Sequence, residues 1–203
     1  MLDLRLTSRP AIERGSWAHR QVRRGAPSFT LALRPPAALA SVIVKLGRLE
    51  DFSLKVRSDF GVDLPASARR AHAGPVAFIW AGPSQWLVIA EGQSGPGLER
   101  QLQDAMKDTA AVNDQSGGRA VVRVGGASAR EVLAKGLPID LHPTVFGVGD
   151  VALTTVAHMG VHFWQVDAEP TYEFAVSRSF AAAFWSWLLE ASSSFGTVVS
   201  EPG

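Results

Sequence analysis

The sequence predicts an α+β domain built from two related halves, each combining antiparallel strands with helices on one face of the sheet. Short alternating apolar segments occur in pairs around tight turns, and segments with helical spacing follow them. In addition, an Asp-Leu pair close to a proline precedes a hairpin in each half, at Asp63-Leu64 and at Asp140-Leu141. We interpret these features as an internal pseudo-duplication of a strand–helix–strand–strand unit.

The first half predicts three strands and one helix. The strands are rich in aromatic and β-branched residues and are bounded by proline or glycine: residues 28–34, 76–80 and 86–90. Gly82-Pro83 supplies the turn between the last two strands. Residues 97–108 place Leu98, Leu102 and Met106 on one face, which predicts an amphipathic helix.

The second half predicts four more strands and two helices. The strands are residues 119–124, 151–157, 161–167 and 171–177. Ser128 and Glu131 have the spacing of a capping box, which predicts a helix that ends at Lys135-Gly136. A second helix follows the last strand, with Ser177 or Ser179 as its expected N-cap.

The C-terminal helix is apolar around more than half of its circumference. The predicted inward stripe contains apolar residues at helical spacing: Phe180, Phe184, Trp187, Leu188 and Ala191. Trp185 lies off this stripe, so we expect it to face a partner protein, although a helix buried on both sides by its own core is the alternative. Residues 1–27 form an Arg-rich arm that is either a solvated tail or a strap along a partner, with Trp17 and Leu4 among its anchors.

These elements predict a single two-lobed domain over residues 28–196, with lobes of about 28–110 and 111–196. Residues 1–27 precede it as the arm, and residues 197–203 are expected to form a tail.

The composition excludes several classes of function. With 20 basic and 19 acidic residues, the formal net charge of +1 favours neither nucleic acid nor an anionic membrane as a partner. The absence of cysteine excludes disulfides, thiolate metal ligands and cysteine nucleophiles, and it suits the cytoplasm. No apolar run reaches membrane-spanning length, and no signal peptide is expected.

The residues predict no catalytic site and no metal site. His158 and His162 are four residues apart, but Met159-Gly160 between them is typical of a hairpin, and no carboxylate or thiolate lies beside them. The Gly125-Gly126 pair before Ser128 lacks the third glycine of a dinucleotide site and the lysine of a P-loop, so we interpret it as a tight turn.

Four segments resemble the gamma subunit of heterotetrameric sarcosine oxidase, over roughly residues 75–196. They are residues 82–87, 112–119, 134–141 and 178–188. The first holds a Gly-Pro-x-x-Trp-Leu turn, the second Asp-Gln-Ser-x-x-Arg, the third Lys-Gly-Leu-Pro-Ile-Asp-Leu, and the fourth an Arg-Ser-Phe-Ala-x-x-Phe-Trp-x-Trp-Leu helix. The aromatic helix is the most specific of the four.

This resemblance implies a subunit without catalytic residues of its own in a cytoplasmic complex. The complex would demethylate sarcosine oxidatively to glycine and hydrogen peroxide and pass the one-carbon unit to tetrahydrofolate. FAD, FMN, NAD, zinc and tetrahydrofolate would belong to the other subunits. The chain would pack chiefly against the alpha subunit and, through it, be joined to beta and delta.

The family is also similar to the folate-binding aminomethyltransferase fold of the glycine-cleavage T-protein, whose two related halves would explain the pseudo-duplication. This similarity suggests an alternative function, a stand-alone folate-binding or aminomethyltransferase-like protein. Glu169 and Glu173 fall on carboxylate positions of a T-protein segment that binds the pterin ring. However, the glycines of that segment are replaced, and Pro75-Val76-Ala77 stands where the T-protein has paired aspartates. We therefore expect weak folate binding or none.

Overall fold

The computed structural model describes residues 11–12, 27–35 and 37–200. Within them the chain forms eleven strands, which are β1 Pro27–Leu33, β2 Ala38–Val44, β3 Arg70–Ala73, β4 Val76–Gly82, β5 Gln85–Ala90, β6 Ala110–Asp114, β7 Arg119–Gly125, β8 Val151–Val156, β9 Met159–Asp167, β10 Thr171–Ser177 and β11 Gly196–Ser200. The α-helices are α1 Leu49–Phe60, α2 Gly95–Met106, α3 Ala129–Leu133 and α4 Ala181–Ala191, and the 3₁₀ turn Arg178–Phe180 precedes α4.

The strands form two sheets, which confirms the predicted α+β class. One sheet has the order β3-β4-β5-β2-β6, and the other has the order β11-β1-β7-β10-β9-β8. The ladders between named strands are antiparallel except for β1 with β11, which is parallel. Among the described residues, no helix combines the length and the apolar character needed to cross a bilayer.

The order of the elements shows the pseudo-duplication directly. From β2 to β6 the chain runs strand, helix, three strands, helix, strand, and from β7 to β11 it repeats the same order. The two sheets also have corresponding strand orders once β1 is recognised as an extra strand inserted between β7 and β11. The repeating unit is therefore longer than the predicted strand–helix–strand–strand unit.

The molecule has four layers, because each sheet packs helices on one face and the other sheet on the opposite face. One hydrophobic cluster lies between the five-stranded sheet and α1 and α2, and includes Phe52, Phe78 and Leu102. Another, with Phe163 and Phe184, lies between the six-stranded sheet and α3 and α4. A third, smaller cluster joins the two sheets, and includes Ile79 and Trp164.

The lobes differ from the sequence-based expectation at both ends of the chain. Strand β1 joins the six-stranded sheet of the second half instead of the first half. Residues 197–200, assigned above to a tail, complete β11 and pair with β1, for example Val198 with Thr30. β11 pairs with β1, which lies more than 160 residues earlier in the chain, and β1 also pairs with the distant strand β7. Local sequence patterns carry no signal for such pairings. Residues 201–203 lie outside the described part.

The predicted serine caps are wrong for both helices of the second half. Ser128 precedes α3, but its side chain makes no capping hydrogen bond, and its φ and ψ of −91° and 6° lie outside the extended region that an N-cap normally adopts. Ser177 precedes the 3₁₀ turn, which in turn leads into α4, and neither begins with a side-chain cap. The preceding 3₁₀ turn moves the start of α4 beyond both expected serines.

Candidate functional site: a buried ionic cluster between the sheets

The layer between the two sheets is mainly apolar but contains one buried carboxylate, that of Glu173. Glu173 is only 2% exposed. It lies on β10 two residues before Ala175, which belongs to the inter-sheet cluster, so the alternation of a strand places both on the same face. A charge at such a position is costly unless its oxygens are hydrogen-bonded and its charge is compensated.

Both oxygens of Glu173 have such partners. Arg123 lies directly opposite on β7, and its Nε and Nη2 donate to Oε1 at 2.9 and 2.7 Å. The Nη1 of Arg34 lies 3.0 Å from the same oxygen. On the other side, the indole Nε1 of Trp164 donates to Oε2 at 2.9 Å. This carboxylate therefore binds two arginines and one indole, and its immediate role is to join β7, β9 and β10 to the segment after β1.

Two further charged residues extend the cluster towards solvent. Arg34 also pairs with Glu91, whose side chain is 61% exposed. Arg70 lies on the edge strand β3 of the other sheet. Burial lowers the pKa of the Arg70 guanidinium because it disfavours the charged form, although the charge of Glu173 opposes this effect.

These side chains line a small cavity. Its volume is about 30 Å³, and its polar lining is Arg34, Arg70, Glu91 and Glu173. The remaining wall is residues 74–77 together with Ile79 and Ile89. The cavity thus lies where the first hairpin of one half meets the inner face of the other half.

The structure separates the two carboxylates of the folate alternative. Glu173 lines the cavity, and so do Pro75, Val76 and Ala77. Glu169 is exposed in the turn between β9 and β10, where its backbone N–H donates to Oδ1 of Asp167 at 3.0 Å. It is not among the residues that line the cavity.

The arginines of the cluster were missed by sequence reasoning. Arg34 and Arg123 each resemble ordinary exposed strand residues in the sequence, and Arg70 lies in a strand that was not predicted. The available signal was the match of opposite charges on Arg123 and Glu173, each at an alternate position of an apolar strand, but it requires the register of β7 against β10.

The Asp-Gln-Ser-x-x-Arg segment links the two halves. The Ser116 hydroxyl accepts a hydrogen bond from the backbone N–H of Leu39 at 2.9 Å and contacts its carbonyl oxygen at 3.2 Å. Oδ1 of Asp114 accepts from the Ser116 N–H at 2.9 Å, and the Gln115 N–H donates to the Leu39 carbonyl at 2.8 Å. The segment therefore holds the start of β2 at the point where the chain passes from one sheet to the other.

The predicted inward stripe of the aromatic helix is confirmed at Phe184, Leu188 and Ala191, which are buried in the core of the domain. It is wrong at Trp185 and Phe180, and the burial of Trp185 in that same core fits the alternative of a helix buried by its own domain. Trp185, expected to face outwards, is 2% exposed, whereas Phe180, expected to face inwards, is 47% exposed. Phe180 belongs to the 3₁₀ turn and not to α4, and the buried face of α4 includes Ala181, Trp185 and Leu189. The centre of the buried face is therefore rotated about the helix axis from the predicted stripe towards Trp185, by somewhat less than the 100° or so between successive residues.

The other two predicted partner contacts belong to the N-terminal arm. Trp17 and Leu4 lie outside the described residues. Of the predicted arm, Ala11, Ile12 and Pro27 are described. Pro27 begins β1, and Ile12 is 3% exposed within the cluster that also contains Trp185 and Leu189. At this point the arm packs against its own domain.

The two histidines have different surroundings. His158 is exposed in the turn between β8 and β9, with φ of 68°. His162 is 4% exposed, and its Nε2 lies 2.5 Å from the Trp80 carbonyl oxygen. Burial lowers the pKa of His162 to about 4. Within residues 27–35 and 37–200, no group of three or more His, Asp and Glu side chains is arranged to hold a metal ion.

The Gly125-Gly126 pair is explained by close approach of the backbone. Gly126 has φ of +99°, and a Cβ atom at this position would lie 2.5 Å from the carbonyl oxygen of Ser28. Only glycine fits between β7 and the start of β1.

Comparison with known proteins supports the resemblance found in the sequence. Residues 49–194 match the model of the sarcosine oxidase, gamma subunit family. The chain is 36% identical over 139 residues to the sarcosine oxidase subunit gamma of Corynebacterium sp. strain U-96, and 34% identical over 123 residues to that of Arthrobacter sp.. These matches cover 66% and 60% of this chain and 66% and 59% of the relatives, so the chain spans just under two thirds of their length.

Solved structures give the same result for the fold. The structure of heterotetrameric sarcosine oxidase from Corynebacterium sp. U-96 in complex with pyrrole 2-carboxylate contains a chain with a TM-score of 0.74 and 30% identity, and the match covers 86% of this chain and 89% of that one. The glycine cleavage system aminomethyltransferase T from Bartonella henselae matches with a TM-score of 0.61 and 13% identity, over 87% of this chain and 48% of that one, which shows a shared fold. The family match extends over more than half of the sequence, and the chain belongs to the sarcosine oxidase gamma subunit family.

Proposed function

We propose that this chain is the gamma subunit of a heterotetrameric sarcosine oxidase and that its contribution there is structural, not catalytic. The observation that carries the proposal is that the carboxylate of Glu173 is fully hydrogen-bonded and paired within the family fold. Both of its oxygens are bound by Arg34, Arg123 and Trp164, so they hold the inner face of the six-stranded sheet together. A carboxylate occupied in this way is poorly suited to accept a proton from a substrate.

The complete enzyme would supply the chemistry through its other subunits. In this proposal the complex converts sarcosine to glycine with one-carbon transfer to tetrahydrofolate in the cytoplasm. FAD, FMN, NAD, zinc and tetrahydrofolate would bind to other subunits. The alpha subunit would be the direct partner, and beta and delta would be joined through it.

The folate alternative is supported by the shared fold and by the position of Glu173 in a cavity beside Pro75-Val76-Ala77. The size of the cavity argues against it. A volume of about 30 Å³ is an order of magnitude below the roughly 300–1,000 Å³ of most sites for drug-sized ligands. Glu169, the other carboxylate of that interpretation, lies on the exposed turn.

Co-expression with the other three subunits tests the structural role. We expect a stable complex whose interface with alpha buries roughly 2,000 Å² or more in total, as in permanent assemblies. The complex should oxidise sarcosine, and the isolated chain should not. A well-behaved monomer that does not bind alpha would contradict the proposal.

Calorimetry with tetrahydrofolate tests the alternative on the same preparations. We expect little or no heat of binding from the isolated chain. A micromolar dissociation constant that Glu169→Ala or Glu173→Gln abolishes would instead favour the folate-binding function. Complexes of the other subunits, assembled with and without this chain, serve as the control for folate that binds elsewhere.

A further inference from the structure

The charges around the inter-sheet cavity do not cancel. Arg34, Arg70 and Arg123 carry three positive charges, and Glu91 and Glu173 carry two negative charges, so the cluster retains one positive charge. The three arginines also face Glu173 from different elements: the segment after β1, strand β3 and strand β7. The four charged residues that line the cavity balance one another, and the excess comes from Arg123, which is bonded to Glu173 beside the cavity.

Arg70 differs from the other two arginines in its partners. Arg34 is bonded to both Glu91 and Glu173, and Arg123 makes two hydrogen bonds to Glu173. In the described part of the chain, no carboxylate lies within ion-pair distance of the Arg70 guanidinium, although Arg70 lines the cavity and is partly buried. The charges of Glu173 and Glu91 compensate the Arg70 guanidinium only from beyond ion-pair distance. An anion bound directly to it in the cavity would lower the remaining cost of its burial.

The size and shape of the cavity restrict the anion. A volume of about 30 Å³ holds about two water molecules, and the two oxygens of one carboxylate group would take their places. A single remaining positive charge favours a monoanion over a phosphate dianion. In addition, the planar fork of a guanidinium matches the geometry of a carboxylate.

We propose that this cavity binds a small monocarboxylate, with Arg70 as its main ligand and Arg34 beside it. Arg34 and Arg123 keep the charge of Glu173 compensated, so Glu173 does not expel the incoming anion. The site goes beyond the structural role proposed above, because it gives this chain a ligand of its own. It lies at the contact between the two halves, where binding would stabilise their packing.

A titration of the full 203-residue chain with sodium formate and sodium acetate tests the site. The probe is the indole N–H signal of Trp164 in nitrogen–proton correlation spectra, because this group is bonded to Glu173 in the cavity wall. We expect a saturable shift with either carboxylate and no saturable shift with sodium chloride at the same ionic strength. Inorganic phosphate at neutral pH should bind more weakly than acetate.

Two arginine variants locate the site. Arg70→Met should weaken acetate binding by about tenfold or more, since it removes a charge-assisted pair. Arg100→Met is the matched control, because Arg100 is exposed on α2 and does not line the cavity; it should bind acetate like the wild type. Arg70→Lys keeps the charge without the fork and should fall between the two.

Three results would overturn the proposal. The shift could be linear and identical in chloride, which would indicate screening and not binding. Acetate binding could survive Arg70→Met unchanged, which would place it elsewhere. Phosphate could bind as tightly as acetate, which would indicate a general anion site and not a carboxylate site.

Discussion

Gly136 lies against the indole ring of Trp187. A Cβ atom at Gly136 would be 2.6 Å from Cζ2 of Trp187, closer than real Cβ contacts. Gly136 follows α3, and Trp187 is on α4, so the contact joins the two helices that cover the six-stranded sheet. Two of the segments that resemble the family, the Lys-Gly-Leu-Pro segment and the aromatic helix, therefore meet at this point.

Gly136→Ala should destabilise the domain. The added methyl group would force Trp187 or α3 to move, and we expect a loss of about 1–3 kcal/mol in the free energy of unfolding, as for other overpacked sites. Urea denaturation followed by tryptophan fluorescence measures it. Gly160→Ala is the control, because no atom lies within 4 Å of a Cβ at Gly160. Equal destabilisation by both changes would argue against the contact.

Trp185→Ala should cost stability in the isolated chain. Trp185 is 2% exposed, and truncation of a buried aromatic residue to alanine costs roughly 3–5 kcal/mol. Phe180→Ala is the comparison, because Phe180 is 47% exposed, and we expect a change within about 0.5 kcal/mol. Thermal melts of both variants measure the difference. A Trp185→Ala variant that melts like the wild type would instead support the outward-facing position of Trp185 that was predicted from the sequence.

Phe180 replaces Trp185 as the proposed aromatic contact with a partner. If the exposed ring packs against the alpha subunit, Phe180→Ala should weaken assembly by about 2 kcal/mol, as aromatic interface residues often do. Pull-down of alpha at graded concentrations measures this effect. Unchanged binding would show that this face of α4 lies outside the interface.

The pair Phe180 and Trp185 also shows where sequence reasoning ends. The spacing of apolar residues predicted a helix at the right place, but a helix that is apolar on most sides does not reveal which arc faces the sheet. The hairpins were predictable because their strands and turns are local. The ionic cluster was not, because Arg34, Arg70, Arg123 and Glu173 come from four separate strands or loops whose register only the folded chain defines.

Glu173→Gln should destabilise the domain far more than Glu169→Gln. It removes the negative charge that Arg34 and Arg123 share in a buried layer, and breaking such a pair costs about 3 kcal/mol. Glu169 is exposed, so its change should stay within about 0.5 kcal/mol. Chemical denaturation at neutral pH measures both. If the two variants are equally stable, Glu173 does not hold the sheet together as described.

His162 should make the domain sensitive to mild acid. Burial lowers its pKa in the folded state to about 4 from the usual 6.5, and the positive charge of Arg119 adds to this effect, while the hydrogen bond to Trp80 opposes it. The unfolded chain therefore binds the proton first as the pH falls. The stability from neutral His162 is complete above the unfolded pKa and is lost progressively between the two pKa values.

The expected loss attributable to His162 is about 2 kcal/mol between about pH 7 and about pH 5. His162→Gln is the matched variant, because its side-chain amide can still donate to the Trp80 carbonyl oxygen but does not titrate. Urea denaturation of both proteins at the two pH values isolates the effect, since other titrating groups contribute equally to each. The wild type should lose about 2 kcal/mol more than the variant. Parallel losses would mean that His162 is protonated in the folded domain at a pKa close to its ordinary value.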